Sequence, residues 1–108
     1  MAHDFDWPAQ RVIVTGGYGF LGRHLCARLN ALGCGGVYPI SAAHYDLREQ
    51  VSVQRLYADY PDATMVVHLA ATVGGIGANS LQPGTFFYDN LIMGIMLMEY
   101  ARRAGVPK

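Results

Sequence analysis

The chain has 108 residues, the length of a single domain, and its eight basic and eight acidic residues give a formal net charge of zero. Hydrophobic residues make up 52% and charged residues 15%, which argues against disorder and against a nucleic-acid-binding surface built on excess positive charge. The longest apolar run, residues 91 to 98, is far shorter than the roughly 20 residues that cross a bilayer, so no membrane partner is expected. The amino terminus lacks the apolar core of a secretory signal, which makes the cytoplasm the expected compartment.

The first half of the chain predicts a strand, a helix and a second strand. A β-branched apolar run over residues 11 to 15 is typical of a buried parallel strand. From Phe20 onward leucines recur at helical spacing until the glycine-rich residues 33 to 36, so the first helix follows the first strand directly. Residues 37 to 41 indicate a second strand, distorted by Pro39, because proline has no backbone N–H to donate to a sheet.

The second half continues the alternation. A capping box over residues 46 to 49 is expected to begin a second helix, which ends before Pro61. Residues 65 to 70 indicate a further buried strand, and the glycine-rich residues 71 to 79 indicate a loop. A long helix is expected over residues 83 to 104, because a proline opens it and a glycine follows it.

This order of elements predicts an α/β fold with a parallel sheet and helices on both faces. The pattern is that of a partial Rossmann fold, the doubly wound arrangement in which ligands bind where the strand order reverses. A short strand near residues 44 to 46 gives the expected strand order 3-2-1-4.

The turn between the first strand and the first helix carries the clearest chemical signal. Gly16, Gly19 and Gly22 stand at threefold spacing between a predicted strand and a predicted helix. A tight turn favours residues without a β-carbon, and a pyrophosphate needs bare backbone and the free N–H groups of a helix start. The turn, with Phe20 and Leu21 of the first helical turn, is therefore predicted to hold a pyrophosphate; glycines that only turn the chain are the alternative.

Ser41 bears on the choice of cofactor. In this motif class an acidic residue near the end of the second strand, about 20 residues on, holds the ribose hydroxyls. Residues 37 to 45 contain none, and Ser41 stands at the expected position. A serine does not repel a 2′-phosphate, so NADP is favoured over NAD. Asp46 comes later and is expected to touch the adenine edge, to cap the second helix with Glu49, or both.

Three segments together resemble the extended short-chain dehydrogenase/reductases of the epimerase/dehydratase type: residues 15 to 22, 46 to 47 and 68 to 71. Within that group, residues 73 to 79 and 83 to 90 resemble the GDP-L-fucose synthases. The resemblance covers nearly all of the chain after its first ten residues. It implies an enzyme that reduces and epimerises a GDP-4-keto-6-deoxymannose with NADPH.

The resemblance also implies further site residues. Leu69, Ala70 and Ala71 would lie under the cofactor, Val73 would border the nicotinamide and the sugar, and Asn90 would anchor the last helix near the active site. No metal site is expected. The full set of expected cofactor-binding residues is Gly16, Gly19, Phe20, Leu21, Gly22, Ser41, Asp46, Leu47, Leu69, Ala70, Ala71, Val73 and Asn90.

No catalytic residue is assigned. Short-chain reductases move a proton with a tyrosine followed four residues later by a lysine, and no tyrosine of this sequence has that partner, since its sole lysine is Lys108. The whole chain, residues 1 to 108, is interpreted as one dinucleotide-binding domain without catalytic and substrate portions. Two functions stay open: the cofactor half of a nucleotide-sugar epimerase/reductase acting on a GDP-deoxyhexose, inactive alone, or a stand-alone non-catalytic dinucleotide-binding or interaction module.

The last helix predicts self-association. From residues 91 to 98 every residue except Gly94 is large and apolar, so two faces of this helix favour burial. In the resembled family the corresponding helix lies near a dimer interface. The strand over residues 65 to 70 would also present an unpaired edge. A homo-oligomer, or pairing with a completing fragment, is therefore expected.

Overall fold

The computed structural model describes residues 5 to 71 and 83 to 108, so Val73 lies outside the described residues. A short 3₁₀ turn, Trp7–Ala9, comes first. The helices and strands that follow are β1 (Arg11–Thr15), α1 (Phe20–Ala31), β2 (Gly36–Ile40), α2 (Gln50–Asp59), β3 (Met65–His68) and α3 (Pro83–Ala104). The alternation of strands and helices predicted from the sequence is confirmed.

The strands of the described residues form a parallel sheet in the order β2-β1-β3. Val12 of the central strand pairs with Val37 on one side and with Met65 on the other. The expected α/β fold with a parallel sheet is confirmed. The short strand near residues 44 to 46 is wrong, because the carbonyl of Ser41 accepts the N–H groups of His44 at 3.2 Å and Tyr45 at 3.0 Å and curls this segment into a turn.

The residues of β1 alternate between two apolar layers. Ile13 packs in a cluster with Leu56 of α2 and Leu97 of α3, whereas Val12 and Val14 pack on the other face around α1. All three β1 side chains are fully buried. Burial of each such side chain contributes about 1.5–3 kcal/mol. Helices therefore cover both faces of the sheet, as predicted.

Two predicted element boundaries are wrong for physical reasons. Helix α2 begins at Gln50 with Glu49 as its N-cap, and no side chain caps it. The capping box fails because the Asp46 carboxylate accepts the backbone N–H of Arg48 at 3.1 Å, which forms a local turn before the helix. Strand β3 ends at His68, two residues before the predicted end at Ala70.

Helix α3 has the predicted bounds and ends before Gly105, whose φ of +78° favours glycine. It buries a stripe along one face, formed by Asp89, Met93 and Leu97. An apolar stripe along the opposite part of the helix is exposed: Phe87, Tyr88, Leu91, Ile95 and Met98. In the described ranges, no helix has both the length and the hydropathy of a membrane span.

Candidate functional site

The turn between β1 and α1 brings backbone close to the end of the sheet. Gly16 has a φ of +67°, a conformation that glycine adopts without strain. A β-carbon on Gly22 would clash with the carbonyl oxygen of Gly16, so the absence of a side chain there lets α1 pack directly against the turn. A β-carbon on Gly19 would meet only that same oxygen, at 3.4 Å. Gly19 therefore leaves open space beside the turn.

The start of α1 faces this open space with backbone donors. Gly19 is the N-cap and supplies no side-chain acceptor. The first N–H groups of a helix have no acceptor within the helix, and the helix dipole makes this end partly positive. The side chains of Phe20 and Leu21, in the first turn of this helix, are exposed. Bare backbone, free N–H groups and positive potential fit a pyrophosphate.

A cavity of about 460 Å³ lies where the carboxyl ends of the three strands meet the glycine turn. This is the switch point at which doubly wound sheets bind ligands. Predicted site residues on its wall are Gly16, Gly19, Ser41, Asp46, Leu47, Leu69, Ala70 and Ala71. Its other wall residues are Ile40, Ala42, Tyr45, Arg48 and Met93. The structure thus brings together residues from four separate segments of the sequence.

The remaining predicted residues lie elsewhere. Gly22 is buried behind the turn, and Phe20 and Leu21 do not line the cavity. Asn90 lies on α3, off the walls of the cavities described in this section. The position of Val73 belongs to the residues that are not described.

Thr15, the last residue of β1, organises the cavity floor. Its buried hydroxyl oxygen accepts the N–H groups of Leu69 at 3.0 Å and Ala70 at 3.1 Å, and lies 2.6 Å from Nδ1 of His68. With both lone pairs engaged, the hydroxyl proton points to His68. This side chain joins the end of β1 to the backbone of the segment that follows β3 and lines the cavity. The sequence pattern did not single it out, because the glycine motif begins at the residue that follows it.

Asp46 is held by a pair of charge-assisted hydrogen bonds. The guanidinium of Arg48 donates from Nε and Nη2 to the two carboxylate oxygens, each at 2.9 Å. These bonds hold the pKa of Asp46 below its usual range, so a carboxylate stands in the cavity at neutral pH. Nη1 of Arg48 also lies 3.5 Å from the carboxylate of Asp89, a largely buried residue of α3. The Asp46 loop is thereby tied to the last helix.

A second cavity of about 370 Å³ adjoins the first. The two share the wall residues Ile40, Ser41 and Tyr45. The second cavity is further lined by Tyr18, Pro39, His44, Arg55, Asp59 and Tyr60. No sequence motif connects Arg55 or Asp59 with a site, since both are exposed polar residues of an amphipathic helix.

Hydrogen bonds fix the side chains of this second wall. The Tyr45 hydroxyl donates to the Asp59 carboxylate at 2.5 Å, and this hydrogen bond is the main cause that raises the pKa of Tyr45 to about 12. The Ser41 hydroxyl lies 3.0 Å from Nδ1 of His44. In the part of the chain that the structure describes, no group of histidines, cysteines or carboxylates is arranged to hold a metal ion.

Comparison with known proteins places this geometry in a family. The family model described as "NAD dependent epimerase/dehydratase family" matches residues 12 to 108. A GDP-L-fucose synthase from Sinorhizobium fredii is 36% identical over 100 residues, which is 92% of this chain and 31% of that protein. The curated relatives matched are much longer, and the chain spans 27% to 31% of their length.

Solved structures share the fold. A GDP-L-fucose synthetase from Naegleria fowleri bound to NADP has a TM-score of 0.74 at 26% identity and matches 90% of this chain and 31% of that one. The structure named DdhaC has a TM-score of 0.83 at 23% identity, over 92% of this chain and 28% of that one, a likeness of fold alone. With the family model matching residues 12 to 108, the chain belongs to the NAD dependent epimerase/dehydratase family.

Proposed function

We propose that the chain is the NADP(H)-binding amino-terminal part of a nucleotide-sugar epimerase/reductase that acts on a GDP-deoxyhexose. The observation that carries the proposal is the cavity at the carboxyl ends of three parallel strands, with the backbone of Gly16 and Gly19 on one side and Ser41 on the other. A phosphate cradle beside a serine, with no carboxylate at the ribose position, suits a cofactor with a 2′-phosphate.

Each part of the cofactor has a matching wall. The glycine turn and the start of α1 would hold the pyrophosphate, and the end of β2 with Ser41 would receive the adenosine ribose. The Asp46 carboxylate accepts hydrogen bonds, as the amino edge of adenine requires. Leu69, Ala70 and Ala71 offer a mainly apolar wall beyond the turn. When bound, a nicotinamide supplies or accepts a hydride.

The substrate class rests on the relatives. A GDP-L-fucose synthase from Sinorhizobium fredii and a GDP-L-colitose synthase from Yersinia pseudotuberculosis are 36% and 29% identical to this chain. Both names refer to GDP-linked sugars. The chain matches about three tenths of each relative. The sugar site and the reaction are therefore proposed from the names of these relatives and not from the described cavity.

Calorimetric titration of the full chain with NADPH tests the cofactor proposal. Gly19→Leu puts a side chain into the space that the pyrophosphate needs, and we expect it to abolish binding. Gly94→Leu is the matched control, because a β-carbon at Gly94 meets no neighbouring atom within 4 Å and Gly94 lies on α3, off both cavities. Equal binding by the wild type and Gly19→Leu would contradict the proposal, as would a wild type that does not bind NADPH.

A further inference from the structure

We propose that the second cavity is the seat of the cofactor's 2′-phosphate, and that Arg55 of α2 is the cation that recognises it. This inference rests on the proposed dinucleotide function and adds to it a specificity-determining residue. Arg55 lies on α2, outside both the glycine turn and the end of β2, to which the dinucleotide-binding motif assigns its site residues.

The second cavity lies next to the place proposed for the adenosine ribose. Ser41 lies on the walls of both cavities, and the first cavity also has the glycine turn on its wall. In our proposal the adenosine ribose lies at Ser41 and the pyrophosphate lies at Gly19. The 2′- and 3′-hydroxyls of the ribose are then at the boundary between the two cavities. A phosphate on the 2′-oxygen then extends into the second one.

The second cavity has a positively charged group, the guanidinium of Arg55, on its wall. Among the described residues, Arg55 is the one arginine or lysine on its wall, and it forms no ion pair with a carboxylate of this part of the chain. Its guanidinium lies 4.6 Å from the centre of the Tyr45 ring and donates a hydrogen bond to the carbonyl of His44. Two contacts therefore hold the guanidinium at the wall while it retains N–H groups for an anion.

The neighbouring polar groups suit the same ligand. Ser41, His44 and Tyr18 place two hydroxyls and an imidazole around the cavity. Asp59 is the one carboxylate that the described part of the chain places on this wall, and the Tyr45 hydroxyl donates to it, so a hydrogen-bond donor already compensates part of its charge. Arginine binds phosphate well because its planar fork donates two hydrogen bonds at once.

The test compares adenosine 2′,5′-bisphosphate with adenosine 5′-monophosphate, because the two probes differ only by the 2′-phosphate and neither carries nicotinamide. Calorimetry on the full chain measures both affinities. We expect the wild type to bind the bisphosphate about tenfold or more tightly than the monophosphate, since hydrogen bonds to a charged group contribute at least about that factor. Arg55→Gln should remove most of this ratio and leave the affinity for the monophosphate unchanged.

Arg28→Gln is the control, because Arg28 is also an exposed helical arginine but lies on α1 and lines neither cavity. It should keep the wild-type ratio. An Arg55→Gln chain with the wild-type ratio overturns the assignment, and so does an equal loss of affinity for both probes. A wild type that binds neither probe overturns the dinucleotide proposal as well, whereas a wild type that binds both equally overturns only the 2′-phosphate seat.

Discussion

The hydroxyl of Thr15 and Nδ1 of His68 lie 2.6 Å apart and join the ends of two neighbouring parallel strands. Since that hydroxyl already accepts two backbone N–H groups, it donates to the imidazole. His68 is therefore neutral, with its proton on Nε2. Desolvation by its neighbours lowers the pKa of His68, which agrees with this assignment.

The first prediction concerns stability against pH. The pKa of His68 is lower in the folded chain than in the unfolded one, so the unfolded state binds more protons and stability increases with pH across this range. The contribution of His68 is present above about pH 6.5, the unfolded value, and is lost as the pH falls below it. Urea unfolding at pH 7.5 and pH 5 should show this loss.

His68→Asn keeps an acceptor near the Thr15 hydroxyl but cannot be protonated, so it should make the stability less dependent on pH than in the wild type. His24→Asn changes an exposed histidine on α1 and should keep the wild-type dependence. Identical pH profiles for the wild type and His68→Asn would show that the imidazole does not act as the acceptor.

The second prediction concerns cofactor choice at Ser41. Ser41→Asp places a carboxylate at the end of β2, where it would accept hydrogen bonds from ribose hydroxyls and repel a 2′-phosphate. We expect the wild type to bind NADPH more tightly than NADH, and the variant to reverse this order. Ser52→Asp is the control, because Ser52 lies on α2 and lines neither cavity. This variant should keep the wild-type order.

The third prediction concerns the exposed stripe of α3. Tyr88, Leu91, Ile95 and Met98 follow the alternating spacing of three and four residues that is typical of helix pairing. We expect the chain to form a homodimer or a larger soluble assembly at micromolar concentration. Sedimentation of Ile95→Glu should show a shift toward the 11.8 kDa monomer, because a buried unpaired carboxylate opposes association.

A control substitution on another exposed surface, Val51→Glu on α2, should leave the assembly unchanged. A wild-type chain that sediments as a clean monomer would contradict the prediction, and so would an Ile95→Glu chain with the wild-type sedimentation coefficient.

The fourth prediction concerns turnover. None of the seven tyrosines has a lysine four residues later, and a general acid or base typically contributes about 10²- to 10⁴-fold to a rate. We expect no measurable NADPH oxidation by this chain alone with a GDP-4-keto-deoxyhexose. Steady oxidation by protein of verified mass would contradict this expectation and would indicate a proton-transfer group among the residues present.

The sequence predicted those features that local chemistry determines. Apolar runs and the positions of glycine and proline were enough to predict β1, the turn that follows it and the bounds of α3. The strand β2 tolerates Pro39 because it lies at the edge of the described sheet, with β1 on one side only. The end of β3 was not predictable from its own residues, because the N–H groups of Leu69 and Ala70, which follow it, donate to the hydroxyl of Thr15, 54 and 55 residues earlier in the chain.

The residues that line the site were predictable only in part, because some of them are brought there by contacts between segments distant in the sequence. Ser41 and Asp46 follow a strand and so fall under a positional rule, which places them at the cavity. Arg55 and Asp89 lie on helices, where a charged residue has no distinctive pattern. Their relevance depends on which loop a helix packs against, and that is set by tertiary packing between distant segments.

The pairing register of β1 bears on the order in which the chain folds. Thr15 and His68 are 53 residues apart, whereas Arg11 and Gly36, the first pair between β1 and β2, are separated by roughly half that length. Closing the longer loop costs about 0.6 kcal/mol more for a doubling of length, so we expect β1, α1 and β2 to form before β3 docks. The glycine turn lies between β1 and α1, and the wall contributed by residues 69 to 71 is added when β3 docks. On this order the glycine turn takes shape before the cavity beside it is closed.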